Sequence, residues 1–210
     1  GVEVVLAATV AGLIGADGRI AAVKTGDGRE FPADLVLVGI GVIANAELAQ
    51  AAGLDVAGGI VVDACSRTAD PAIVAAGDCS VRRLADGSLR RLESVQNAME
   101  QAKSAAVALL GRERPFTATP WFWSDQYELG LQIAGMADGA TETVARQTTP
   151  DALVLFHLAA DGTLLGASGI GPGNAISRDI KMAEMMMAKG VKPPKDVLAD
   201  PAQPLKSLIR

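Results

Sequence analysis

The stretch PAIVAAGDCSVRR, residues 71–83, constrains the chain most. An apolar run, Ala72–Ala76, stops at a glycine and a carboxylate, Gly77-Asp78. Read as a buried strand, it places an acid at the carboxyl end of a sheet, where open α/β folds bind their ligands. Glycine removes a side chain that would block close approach. A carboxylate accepts hydrogen bonds only, so a hydroxyl-rich ligand such as a polyol chain suits it. The same dipeptide also serves as an ordinary turn.

The surrounding pattern sets the fold class. Residues 2–41 alternate short apolar runs with Asp17-Gly18 and Asp27-Gly28, which are hairpin signals and predict a three-stranded antiparallel meander. Asp34–Gly41 runs apolar without alternation, as a strand of a parallel sheet does. A short helix is expected over 45–53, capped by Asn45 and ended by Gly53. A hairpin tip follows at Asp86-Gly87. From Ser94 a longer helix runs to Gly111, with a mostly alanine face suited to close packing. Residues 112–120 carry two prolines and no periodicity, and mark a boundary. Beyond it come four strand-like runs, a methionine-rich helix over 177–189, and a proline-broken tail expected to wrap the surface.

With 210 residues, half of them apolar, the chain can bury a sizeable core. A net charge of −5 argues against a general nucleic-acid binder. No apolar run approaches the length of a membrane span, and a cytoplasmic protein is expected. Cys65 and Cys79 form no CxxC, and the single histidine, His157, lies in a strand-like run rather than a ligand cluster. The chain opens on Gly1 in an apolar run, as a piece of a longer protein would.

The ordered segments RTADPAIVAAGDCS, RLESVQNAMEQAKSAA and PWFWSDQY, with VGIGVIANAELAQAAGL before and GVKPPKDVLADP after them, resemble the C-terminal half of the FAD-dependent, NAD(P)H-using ferredoxin reductases. That group includes the putidaredoxin, rubredoxin and dioxygenase-system reductases. The resemblance implies an α/β fold: the C-terminal part of a two-dinucleotide-domain FAD/NAD(P) reductase plus a small α+β C-terminal domain. It divides the chain into the end of an NAD(P)-binding domain (1–40), part of an FAD-binding domain (41–115) and a C-terminal reductase domain (116–210).

The site residues follow from the matched motifs. Asp78, after Gly77, would hold a ribityl hydroxyl of FAD. The start of the helix at Ser94, Val95 and Gln96 would face the pyrimidine end of the ring, where free N–H groups and the positive helix end stabilise negative charge. Glu93 matches a glutamate near the flavin–nicotinamide site, or else it caps or ion-pairs. Trp123 would lie beside the flavin ring; Trp121 and Phe122 are left to packing, and the whole cluster is also readable as a domain-interface anchor. Gly39 and Gly41 would admit the nicotinamide, or simply allow close packing. No catalytic acid or base and no metal ligand is assigned.

Two departures stand out. Ala44 replaces a common proline, and no GxGxxG fingerprint occurs, so the loops gripping pyrophosphate lie outside this sequence. The partner implied is an acidic ferredoxin-type iron–sulfur protein, attracted by Arg82, Arg83, Arg90, Arg91 and Lys103; a solvated basic hairpin is the plainer reading. A homodimer is also expected. Alternatives are a flavin-free fragment acting as an assembly module, and a flavoprotein oxidase or nitrite-reductase-type subunit.

Overall fold

The computed structural model describes residues 1–209, which divide into two compact units, 1–43 and 44 onward. The first unit is built on the expected meander: β1 (Val10–Ala16), β2 (Arg19–Thr25) and β3 (Glu30–Pro32), each antiparallel to the next. Asp17 and Gly18 both take positive φ, 52° and 73°, which matches the turn to the twist of the hairpin. Residues 1–9 form no strand, and neither does Asp34–Gly41. A strand exists only with a ladder partner, and among the described residues nothing pairs with this run. Leu35, Leu37 and Ile40 are consequently exposed.

The second unit opens with α1 (Glu47–Ala51), one residue short of the expected start: Ala46 is its N-cap and no side chain caps it, so Asn45 does not. Gly53, at φ 79°, ends it as expected. The strand β4 (Ile60–Val62) pairs in parallel with β5 (Ser80–Arg83), which turns into β6 (Leu89–Arg90) as an antiparallel hairpin. The run Ala72–Ala76 is not a strand. Its backbone is spent on local bonds (Thr68 N–H to Ile73 O, Ile73 N–H to Asp70 O, Ala75 N–H to Ser66 O) and on a single bridge, Arg67 to Val74. Asp78 therefore precedes a strand, β5, rather than ending one.

The helix α2 (Val95–Leu109) is capped by Ser94, whose hydroxyl accepts from Asn97 N–H at 3.2 Å. Its buried face differs from the expected alanine stripe. Asn97, Gln101, Ser104 and Ala105 are buried, whereas Val95 and Met99 are exposed.

A five-stranded antiparallel sheet follows, in the order β7 (Trp121–Gln126), β8 (Leu129–Gly135), β11 (Leu164–Pro172), β10 (Ala152–Leu158), β9 (Glu142–Thr149). The segment PWFWSDQY thus supplies an edge strand that the sequence pattern did not mark. Alternate residues Ala152, Val154, Phe156 and Leu158 face α3 (Ser177–Ala188), and Ile180, Ala183 and Met186 close that core.

The tail does more than wrap the surface. It forms α4 (Lys195–Ala199) and a final 3₁₀ turn, Leu205–Ile209, which bury Leu198, Leu205 and Ile209 in the same core. No helix among the described residues is long and apolar enough to cross a membrane.

Candidate functional site: an acid, a helix start and an indole around one cavity

The Gly77–Asp78 loop is fixed by a buried amide. Gln101 Oε1 accepts from Gly77 N–H at 2.7 Å and from Asn97 Nδ2 at 3.2 Å. Ser80 Oγ lies 3.0 Å from the same oxygen and 2.8 Å from Gly77 O, so its one proton is shared between them. Glycine is needed at 77 for its φ of 82°. Room is not the issue, since an added Cβ would meet Ala98 Cβ at an ordinary 3.5 Å.

With the loop held this way, the Asp78 carboxylate projects free: it is exposed and takes no hydrogen bond or ion pair among the described residues. Across from it, α2 begins. The amides of Asn97 and Ala98 are satisfied by Ser94, but those of Val95 and Gln96 find no acceptor among the described residues, and no acid sits in the first turn. Two donors at a positive helix end therefore await an acceptor.

Asp78, Glu93, Ser94, Val95 and Trp123 line one cavity of about 360 Å³, together with Phe122 and Ala98. Trp123 stacks on Trp121 with ring centroids 5.1 Å apart and planes at 24°, which steadies the exposed indole from behind. Trp121 packs on the core, as the sequence suggested. Phe122 does not stay in packing: it is 41% exposed and walls the cavity, a role hidden by its reading as filler. Glu93 stands at the wall and is ion-paired with Arg91, which also donates to Gly58 O at 2.7 Å. The ion pair is the plainer of the two readings of Glu93, and the side chain borders the cavity as well.

Three expected residues lie elsewhere. The Gln96 side chain turns into a separate cavity beside Gln132 and Ser177, leaving its backbone N–H as the group at the helix start. Gly39 and Gly41 belong to the first unit, and a Cβ on either would meet nothing within 4 Å among the described residues.

Of the basic residues, Arg82 is half-buried and engaged within the unit: it stacks on the Phe116 ring at 4.5 Å and donates to Phe116 O at 3.1 Å. Arg83 and Lys103 keep about half their side chains in solvent, at 52% and 54%.

Residues 1–102 match the model of the pyridine nucleotide-disulphide oxidoreductases, and residues 121–209 match the reductase C-terminal domain. The chain is 45% identical over 173 residues to a probable ferredoxin reductase CtmF of Castellaniella defragrans, covering 81% of this chain and 42% of that protein. Putidaredoxin reductase CamA of Pseudomonas putida is 39% identical over 197 residues, 91% of this chain and 44% of that protein. The chain belongs to the ferredoxin reductases.

It spans about half the length of the relatives it matches. The ferredoxin reductase for the CYP199A2 system of Rhodopseudomonas palustris superposes with a TM-score of 0.85 at 35% identity, covering 97% of this chain and 50% of that one. The reductase of a covalent putidaredoxin reductase–putidaredoxin complex gives 0.83 at 35%, covering 96% and 48%. Proteins of this family use FAD and NAD(P)H. The residues present fit one part of FAD: an unpartnered carboxylate for the polyol arm, unpartnered amides for a ring carbonyl, and an aromatic wall. They offer no phosphate loop.

One ionisable group outside the cavity gives a separate check. Burial lowers the His157 pKa from its ordinary 6.5, because the charged imidazolium loses hydration there. Its contribution to stability is full above pH 6.5 and is lost as pH falls from 6.5 through the folded value, where the unfolded chain binds the extra proton. As the chain's single histidine, it gives one imidazole signal. An NMR titration of that signal is expected to show a midpoint below 6.5 in the folded protein, returning to the ordinary value in urea.

Proposed function

We propose that this chain is the flavin-framing and C-terminal part of an oxidoreductase that moves electrons from NAD(P)H through FAD to a ferredoxin-type iron–sulfur protein. In this reading residues 1–40 end the NAD(P)-binding domain, 41–115 complete the FAD-binding domain and 116–210 form the C-terminal reductase domain. The observation that carries it is the convergence of Asp78, the α2 start and Trp123 on one cavity. The printed identities of the relatives support the partner class: one is a ferredoxin–NAD(+) reductase component of an anthranilate 1,2-dioxygenase system in Burkholderia cepacia, another was solved joined to putidaredoxin.

FAD, when bound, supplies the exchange between hydride acceptance and single-electron transfer. Each residue here has a positioning task. Asp78 accepts a hydrogen bond from a hydroxyl of the polyol arm. The Val95 and Gln96 amides would donate to an acceptor at the pyrimidine end of the ring, and the helix dipole would add about 0.3–2 kcal/mol of stabilisation to negative charge there. Trp123 and Phe122 keep water from the ring edge. Gly39 and Gly41 leave space for the nicotinamide.

The complete protein, purified and loaded with FAD, is expected to show flavin absorption bands, to bleach on anaerobic addition of NADH or NADPH, and to reduce a ferredoxin-type protein. Failure to take up flavin would overturn the reading. Lys103 lies two turns into α2, paired with Glu100 yet half-exposed, where it meets an approaching acidic partner. Reversing its charge, Lys103→Glu, is expected to slow ferredoxin reduction several-fold at low salt, with the difference fading as salt rises. Dye reduction by the same electron donor needs no protein partner and should be spared; equal losses in both assays would remove Lys103 from the docking surface.

A further inference from the structure

A second cavity, of about 410 Å³, opens on the sheet face turned away from α3. Its floor is set by strand alternation. His157 and Ser168 point outward between the buried pairs Phe156 and Leu158 on β10, and Ala167 on β11. Directly across from His157 lies Gly166, which carries no side chain and whose added Cβ would press on Met136 backbone atoms at 3.1 Å. The Met136 backbone therefore packs directly over the strand beside the imidazole, where no side chain would fit. The walls are apolar: Pro120, Phe122, Ile133 and Met136. Among the lining residues the ionisable ones are Glu93, neutralised by Arg91, and His157.

One polar row interrupts this surface. His157 Nε2 lies 3.0 Å from Ser168 Oγ, and Nδ1 lies 3.4 Å from Thr143 Oγ1. With the proton on Nε2, the ring donates to Ser168 and accepts from Thr143, and the Ser168 hydroxyl proton is left for a third group. In that tautomer no other acceptor for it stands among the described residues, so an oxygen placed in the cavity can take it. An apolar space of this volume with one or two convergent polar groups is the usual make-up of a small-molecule site.

We propose that this cavity binds a planar, mostly apolar small molecule with a ring oxygen substituent, of the quinone or phenol class, with one such oxygen received by Ser168 and His157 behind it. The site is distinct from the Asp78 cavity, although Glu93, Ser94 and Phe122 form a wall common to both. It goes beyond the ferredoxin reading, because binding here needs neither flavin nor an iron–sulfur partner.

The test is a titration of the protein, without NAD(P)H, with three probes of one ring system: 2-methyl-1,4-naphthoquinone, 1-naphthol and naphthalene. The single imidazole signal reports from inside the site. Both oxygenated probes are expected to shift it saturably, and naphthalene to bind roughly 3- to 10-fold more weakly, the loss of one neutral hydrogen bond. Ser168→Ala should weaken the oxygenated probes by the same factor and leave naphthalene alone. Ile133→Trp should fill the space and remove binding of all three. An unmoved imidazole signal, equal affinity for naphthalene, or unchanged binding in either variant each overturns the proposal. Asp78→Ala should bind the probes normally, so failure here and failure of the flavin site are read separately. A shift that grows with protein concentration and not with probe would mean that a second copy of the chain fills the cavity, which also overturns it.

Discussion

Replacing Asp78 by alanine is expected to weaken FAD binding by the complete protein roughly 10- to 100-fold, the worth of one hydrogen bond to a charged acceptor. The magnitude follows from the geometry of the loop. Gln101 and Ser80 hold Gly77, and the carboxylate beyond it is committed to nothing among the described residues. Its whole accepting capacity is therefore available to a ligand. The same fact predicts what the substitution will not do. An exposed side chain without partners contributes little to folding, so the unfolding free energy should change by no more than about 0.5 kcal/mol. Asp78→Asn keeps an acceptor without the charge and should fall between the two. Quenching of flavin fluorescence by the apoprotein measures the first quantity, and a denaturant curve the second. Unaltered flavin affinity in the alanine variant would remove this residue from the site; a large stability loss would show that the loop, rather than the contact, had been damaged.

Part of this candidate site was legible because its residues belong to local devices, while Trp123 was marked only by the resemblance and Phe122 reads as packing. A glycine with positive φ and an N-cap serine both act within a few positions of themselves. What the sequence misstated depended on partners far along the chain. Asp34–Gly41 and Ala72–Ala76 both have a parallel-strand composition, yet a strand forms only where a neighbour offers its backbone, and the described residues offer none to the first and one bridge to the second.

The face of α2 was misread for a related reason. Helical periodicity marks alanine and methionine as the buried stripe, but the packing partners are loop backbone groups, the Gly77 N–H as donor and the Leu92 and Arg114 carbonyls as acceptors. The inward positions therefore went to Asn97, Gln101 and Ser104, whose polar groups meet Gly77, Leu92 and Arg114. Hydrophobic patterning has no means of announcing a buried polar seam.

Arg146 is the sharpest instance, and its replacement should have the largest effect on stability. It sits on the edge strand β9 in a run, TETVARQT, that reads as half-solvated, yet its side chain is only 5% exposed. Its guanidinium presents five N–H donors in a fixed fork. Nε donates to Asp179 Oδ2 at 2.9 Å. Nη1 reaches Val197 O, Leu198 O and Asp200 O, the last at 2.7 Å, and Nη2 reaches Pro201 O and Gln203 O, the latter at 2.9 Å. One arginine thus ties the helix α3 and the proline-broken tail to the sheet, satisfying carbonyls that α4 leaves open at its end.

Removing it strands a largely buried Asp179 and several carbonyls at once, and breaking a buried pair in this way costs about 3–5 kcal/mol. Arg146→Met is expected to lower stability by that amount in urea unfolding and to open residues 195–209 to proteases. Arg146→Lys restores the charge toward Asp179 but, with three donors on a single nitrogen, cannot span the row of carbonyls, and should recover less than half of the loss. Full recovery by lysine would mean that the ion pair alone matters. Unchanged stability in the methionine variant would mean that the tail docks through Leu198, Leu205 and Ile209 without the polar clasp.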